Sequence, residues 1–344
     1  MSQFKFSVGP WNVHSGADQY GPATRNEIPF EEKVEKFAEM GFSAIQFHDD
    51  DVVPNMNELS DEEIKTEARK VKAILDKHGL VAEFVAPRLW MDPHTADGGY
   101  MSTSEEDYKF AMWRTYRSID IANELGTTML VLWLAREGML CAESKSPVWA
   151  TQRLIDSINL MLDYDPNIRV TIEPKPNEPI DRSICGTAGH VLGVGAATKD
   201  PSRVGVNVES AHATLAGLDP SCEMGFALAV NKLWTVHLND QNGIKYDQDK
   251  SFGVENLRSA FNQVKLLIEN CYGKNGEFVG LDVKAMRTTK DADSYKHLQN
   301  SLDIFKALEE KARRFDYDLQ KKLVGNRDFE ALEMYTINLL MGLG

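Results

Sequence analysis

Eight short apolar runs rich in β-branched residues, each followed by a segment with helical periodicity, restrict this 344-residue chain to few folds. The runs are KFSVG (5–9), AIQFH (44–48), VAEFVA (81–86), TMLVLW (128–133), RVTIE (169–173), VGVNVE (204–209), LWTVHL (233–238) and FVGLDV (278–283). Helical patterns fall near 31–40, 61–78, 105–125, 148–163, 187–198, 221–231, 254–271 and 291–313. Ser60 with Glu63 and Ser104 with Asp107 stand at N-cap spacing before two of them. Strand then helix, eight times over, predicts an α/β fold: a (β/α)8 TIM barrel with parallel strands rather than an open sheet.

Residues 1–314 are read as the barrel and 315–344 as a C-terminal helical arm, because the tail follows the eighth helix. Phe315, Leu319, Leu323, Phe329, Leu332, Tyr335, Leu339 and Leu340 form an apolar stripe at helical spacing. A lone barrel would leave that stripe in water, so the arm is expected to wrap a neighbouring subunit in a homodimer or homotetramer.

In a TIM barrel the chemistry belongs at the C-terminal ends of the strands. Four successive strand ends here carry Glu173, Glu209, His237 and Asp282, and the loop after the seventh strand adds Asp247 and Asp249. One such residue would be a solvated carboxylate; a series of oxygen and nitrogen donors reads as a metal site. Glu209 and His212, three residues apart where strand gives way to loop, can reach one ion. Asp247 and Asp249 flank Gln248 and would point the same way in an extended loop. Without cations these carboxylates would repel one another.

The net charge of −14 speaks against a nucleic-acid partner, whose phosphates demand a basic face. No run approaches the ~18 apolar residues that a membrane span requires, and MSQFKFSVGPW does not read as a signal peptide. Cys141, Cys185, Cys222 and Cys271 are far apart without CxxC spacing, so reduced, packed thiols and a cytoplasmic setting are expected.

FHDDD (47–51), IEPKPNEP (172–179), GIKYDQD (243–249) and FEALEMYTINLLMG (329–342) resemble xylose isomerase of the short-chain class. WNV, GPATR, DGGY, WLAREG and AGLD match in order, so the resemblance covers essentially the whole chain. It implies an aldose–ketose isomerase acting on a small sugar, D-xylose to D-xylulose or D-glucose to D-fructose, with two divalent cations (magnesium, manganese or cobalt). By the resemblance, one cation is held by Glu173, Glu209, residue 237 and Asp282, and the other by Glu209, His212, Asp247 and Asp249. His48 and Asp51 match the pair that opens the sugar ring. Lys175 would steady charge developing on the substrate's carbonyl-end oxygen. Lys284 would support the metal carboxylates, Trp11 and Trp133 would wall the pocket, and Tyr20 would reach a neighbour's pocket.

The chain departs from that pattern at informative places. His237 stands where the family has aspartate, which removes a charge and brings nitrogen into an all-oxygen shell. Imidazole suits manganese, cobalt, nickel or zinc better than magnesium, so a single manganese-like ion becomes an alternative. Ala86-Pro87-Arg88-Leu89-Trp90 replaces a Thr-Thr-Asn-Leu-Phe run, and Ser15 and Leu134-Ala135 also differ. Arg88 and Trp90 are therefore read as substrate-facing residues of a reshaped pocket. The alternative function is an epimerase or lyase that abstracts a proton beside a carbonyl on a modified or oxidised sugar.

Overall fold

The computed structural model describes residues 4–244 and 246–343. Its centre is a closed barrel of eight parallel strands: β1 (Phe6–Val8), β2 (Ala44–His48), β3 (Val81–Ala86), β4 (Met129–Trp133), β5 (Arg169–Glu173), β6 (Val204–Glu209), β7 (Leu233–Leu238) and β8 (Val279–Leu281). They pair in chain order, and β1 closes on β8 through Phe6↔Val279, Ser7↔Gly280 and Val8↔Leu281. The (β/α)8 architecture expected from the alternation is the one observed.

The outer ring consists of α1 (Phe30–Glu39), α2 (Asp61–His78), α3 (Glu105–Leu125), α4 (Pro147–Tyr164), α5 (Ala188–Ala196), α6 (Pro220–Ala229), α7 (Leu257–Glu269) and α8 (Lys296–Arg313). The α2 start is a full capping box: Ser60 Oγ accepts from Glu63 N while Ser60 N donates to Glu63 Oε2 at 2.8 Å. Its end is a left-handed Gly79 at φ 71°, a conformation that costs glycine little. Helix α7 begins three residues later than the periodicity suggests, because Asn256 Oδ1 accepts from Ser259 N at 3.0 Å and caps it there. The helices bury Phe37, Leu75, Ile119, Leu154, Phe261 and Phe305 against the strands, each 0–1 % exposed, so the core lies between ring and barrel.

The tail forms α9 (Tyr317–Gly325) and α10 (Phe329–Met341). Helix α10 folds back on its own chain along one edge of the expected stripe. Leu339 is buried, Leu332, Tyr335 and Leu340 pack partly buried on the core, and Lys311 Nζ donates to Leu339 O at 2.7 Å. Tyr335 Oη accepts from Asp316 N at 2.7 Å, and the Tyr335 ring meets Phe315 edge-on. Phe315 and Leu339 are the stripe's buried members, whereas Leu319 and Leu323 are half-buried. Phe329, Met334 and Met341 remain exposed.

Three features have no counterpart in the strand–helix alternation. A two-stranded antiparallel ladder joins Gly138–Met139 to Arg182–Ser183, and single helical turns occupy Asp49–Val52 and Ser210–Leu215 directly after β2 and β6. All four cysteines are free, but only Cys185 is packed; Cys141, Cys222 and Cys271 are exposed, since each falls outside the buried faces. No helix among the described residues is long and apolar enough to cross a membrane.

The barrel seam carries a pH-sensitive contact. His297 of α8 is buried, its Nε2 donates to Asn12 O at 2.8 Å, and Asn12 Oδ1 accepts from Val283 N at 2.7 Å. Burial lowers the His297 imidazole to about 4. Between pH 6.5 and 4 the unfolded chain therefore takes up a proton that the folded chain refuses, and stability falls as pH falls. His297→Gln should flatten this loss by about 3 kcal/mol, measured as denaturant unfolding free energy at pH 7 and pH 4.

Candidate metal centre and active site

Strand register assembles the site. Glu209 at the end of β6 lies opposite His237 of β7, and His237 lies opposite Gly280 of β8. Glu173, ending β5, lies opposite Trp133, which ends β4. Neighbouring strands are ~4.8 Å apart, so residues at matching register become neighbours whatever their distance in sequence. A Cβ at position 280 would meet the Gln46 side chain and lie 2.6 Å from Val236 O and 3.1 Å from His237 Cδ2. Only glycine leaves His237 its place.

His237 Nδ1 is 3.2 Å from Glu173 Oε2, 3.8 Å from Glu209 Oε2 and 3.6 Å from Asp282 Oδ2. His212 sits one helical turn beyond Glu209, not in an open loop, which brings its Nδ1 within 3.3 Å of Glu209 Oε2 and 3.5 Å of Glu173 Oε1. Its Nε2 is 2.9 Å from Asp247 Oδ2. Among the described residues, three groups of donor atoms are close enough to share an ion: Glu173–Glu209–His237, Glu209–His212–Asp247 and Glu209–Asp249–Asp282. Glu209 belongs to all three.

Asp247 and Asp249 both face the cavity, but not through an extended loop. Asp249 has φ +44°, and its carboxylate takes a hydrogen bond from Asn239 Nδ2 at 2.9 Å and an ion pair from Lys284. The backbone reverses between the two aspartates, and Gln248 Oε1 turns away to accept from Asn242 N.

Whether these residues suit a cation is decided by their unsatisfied atoms. His237 Nδ1 and Nε2, His212 Nδ1 and Asp247 Oδ1 are all buried without a well-formed hydrogen bond. Buried polar atoms of native proteins are rarely left so, and the two Nδ1 atoms, each within 4 Å of Glu173 and Glu209 oxygens, fit an ion between them. The donor set of imidazole and carboxylate fits a divalent transition metal such as manganese or cobalt.

Electrostatics agree. Burial pushes the carboxyls of Glu173, Glu209, Asp247 and Asp249 upward, yet the His237 and His212 imidazoles hold Glu173 at about 2, and His212 and Lys175 hold Asp247 well below the ordinary range. Glu209 goes the other way: burial, with Asp247 and Glu173 repelling it, raises its carboxyl well above the ordinary range. Burial and Asp247 raise Asp249 as well. Burial would lower both imidazoles, but Glu209 and Asp247 raise His212, and Glu173 raises His237. Too much negative charge shares too little volume, which is the condition that a cation relieves.

The other expected residues divide into those at the cavity and those away from it. Trp11, His48, Arg88, Trp90, Trp133 and Lys284 line the same cavity of about 220 Å³ as the candidate metal donors. Trp11 Nε1 donates to Asp282 Oδ1 at 2.8 Å, and its ring lies 4.3 Å from His48. Trp90 meets His48 and Trp133 edge-on at 5.1 and 4.4 Å. Lys175 is buried and committed, with Nζ 3.0 Å from Glu178 and 3.1 Å from Asp247. Tyr20 is 78 % exposed on a loop that Arg25 and Arg287 tie to the β8 end of the barrel, outside this cavity.

Sequence reasoning missed the supporting amides. Asn207 Nδ2 donates to Glu173 Oε2 at 2.6 Å, and Asn239 Nδ2 donates to Glu209 Oε1 at 2.8 Å. Each is two residues from a candidate metal donor, Asn207 before Glu209 and Asn239 after His237, and that period-two spacing was the available signal. Asp49 was also missed. It is wholly buried and accepts from Arg114 Nε and Nη2 at 2.7 Å, from Ser118 Oγ and from the Arg88 backbone, anchoring the loop that carries Arg88.

A closed parallel barrel with carboxylates and imidazoles gathered at its C-terminal rim places the chain among the TIM barrels whose polar site lies at that rim. Residues 34–257 match the xylose isomerase-like TIM barrel family, and the chain belongs to it. Similar solved structures include a D-tagatose 3-epimerase-like protein (17 % identity, TM-score 0.65, 89 % of this chain and 99 % of that one). Another is D-psicose 3-epimerase from Clostridium cellulolyticum H10 (13 %, 0.63, 89 % and 99 %). A third is the 3-keto-D-glucoside 4-epimerase of E. coli (16 %, 0.62, 88 % and 99 %). At these identities the likeness is one of fold.

Proposed function

We propose that this protein is a divalent-metal-dependent enzyme that rearranges or cleaves a carbonyl-bearing sugar by proton transfer at the carbon beside the carbonyl. The observation that carries the reading is His237, buried without a well-formed hydrogen bond while its Nδ1 lies 3.2, 3.8 and 3.6 Å from carboxylate oxygens of Glu173, Glu209 and Asp282. Those four residues would hold the ion. Bound there, a divalent cation supplies Lewis-acid polarisation of a carbonyl and an adjacent hydroxyl.

The chain's own groups do the rest. Glu173 and Glu209 place carboxylate oxygens at the cavity floor, where one can take the proton from carbon. Trp11 and Trp90 pack against His48, and Trp133 backs Trp90 edge-on, a wall that excludes water. The cavity of about 220 Å³ is below the ~300 Å³ typical of drug-sized pockets and suits one sugar unit. Lys175, held by Glu178 and Asp247, positions the loop of Asp247 rather than standing free for a substrate oxygen. The epimerases that share the fold act on keto sugars by their names, which supports the same substrate class here.

A second reading, aldose–ketose isomerisation with two cations, is favoured by the additional Glu209–His212–Asp247 group. One experiment separates them. Manganese-loaded protein is incubated in heavy water with ketoses, 3-keto-glucosides and D-xylose, and products are read by NMR. Deuterium at the carbon beside the carbonyl is the expected result; xylulose formed without deuterium points to hydride shift, and no exchange with any carbonyl sugar sinks the proposal.

A further inference from the structure

The edge of the cavity holds an arrangement that the metal does not explain. Arg88 Nη2 lies 2.5 Å from His48 Nδ1 and 3.4 Å from Asp51 Oδ1, and its Nη1 lies 3.3 Å from Asp50 Oδ1. Asp51 Oδ2 accepts from the His48 backbone N–H at 3.0 Å and also lies 3.1 Å from His48 Nδ1. His48 Nδ1 thus faces two groups that ask opposite things of it: the guanidinium requires a lone pair there, the carboxylate a hydrogen.

We infer that Arg88 is a positioning residue that fixes His48 in the tautomer with its proton on Nε2, so that His48 meets the substrate as a hydrogen-bond donor. The guanidinium keeps all its protons and cannot act as an acceptor. A hydrogen on Nδ1, in neutral or charged imidazole alike, would oppose a donor at 2.5 Å. A bare Nδ1 opposes only the lone pairs of Asp51 Oδ2 at the longer 3.1 Å, and that oxygen already has the backbone N–H. The two hydrogens of Nη2 then serve His48 and Asp51, while Nη1 makes an ion-pair contact with Asp50. The proton of a neutral imidazole lies on the remaining nitrogen. Nε2 has no hydrogen-bond partner among the described residues, and His48 lines the cavity.

This rests on the proposed site and narrows its substrate. A neutral imidazole presenting Nε2–H polarises a carbonyl or hydroxyl oxygen. It cannot take the anomeric hydroxyl's proton, as a ring-opening base must. The structure therefore points to sugars whose carbonyl is present without help from His48, as a keto group on the ring or in an open chain.

The test is a long-range proton–nitrogen NMR correlation on full-length, magnesium-loaded protein labelled with 15N-histidine, with His48 assigned by its loss in His48→Gln. Wild type should show a bare Nδ1 and a protonated Nε2. Asp51→Ala should keep that pattern, and Arg88→Met should move the proton to Nδ1 facing Asp51. Protonated Nδ1 in wild type, or a proton that follows Asp51 rather than Arg88, overturns the inference. Should Arg88→Met fail to fold, wild type and Asp51→Ala still decide. The readout needs no turnover, so it stands or falls separately from the heavy-water experiment.

Discussion

Glu209→Gln should abolish productive metal binding while leaving the fold intact. Glu209 is the donor common to all three ion-holding groups, and at 1 % exposure its charge acts in a low-dielectric setting. Glutamine keeps the volume and, through Oε1, can still accept from Asn239 Nδ2. Affinity for manganese measured by calorimetry should fall ~10³-fold, equivalent to about 4 kcal/mol at 1.4 kcal/mol per decade. The variant has a second signature. Without metal, removing one of the five clustered acids Glu173, Glu209, Asp247, Asp249 and Asp282 relieves repulsion, so the metal-free variant should melt no lower than metal-free wild type. Wild type should gain about 2.7 kcal/mol of stability at a hundredfold excess of metal over Kd, and the variant nothing. Equal metal stabilisation of both proteins would show that the cage does not hold the ion.

Arg114→Met should be the most destabilising change near the site. Arg114 is 5 % exposed and fixes the wholly buried Asp49 through two bonds of 2.7 Å. Removing the cation leaves a buried carboxylate with only Ser118 and backbone donors, and breaking such a pair costs about 3–5 kcal/mol. The damage should reach the cavity, because Asp49 Oδ1 also accepts from Arg88 N at 3.1 Å and so sets the start of the loop carrying Arg88 and Trp90. Urea unfolding measures the first effect. The double variant Asp49→Leu/Arg114→Met should recover much of the loss, since no charge then remains unpaired. A loss below 1 kcal/mol in Arg114→Met would mean the pair is solvated.

The barrel was legible because its signals are local. Each β-branched run ended close to where hydrogen bonding ends it, and Ser60, Ser104 and their partners marked helix starts by chemistry contained in four residues. The strand-end donors were legible for a similar reason: a barrel exposes strand C-termini, so donor residues there must converge. The tail was legible as an amphipathic helix, but a stripe such as Leu332, Tyr335 and Leu339 says only that it will be covered, and tertiary packing set which of its residues meet the chain's own core.

What the sequence by itself determined, then, is the succession of elements and the chemical character of the rim, because propensity, capping and polar placement act over a few residues. The tertiary structure alone decided which donors share an ion, that Lys175 is tied to Glu178 and Asp247, and that Arg88 rather than Asp51 lies nearest His48 Nδ1. Those outcomes depend on register between strands and on side chains 40 to 72 positions apart, such as Arg88 with His48 and Lys175 with Asp247. Distances of tenths of an ångström separate one hydrogen-bonding arrangement from another, and they are set only when the whole barrel closes.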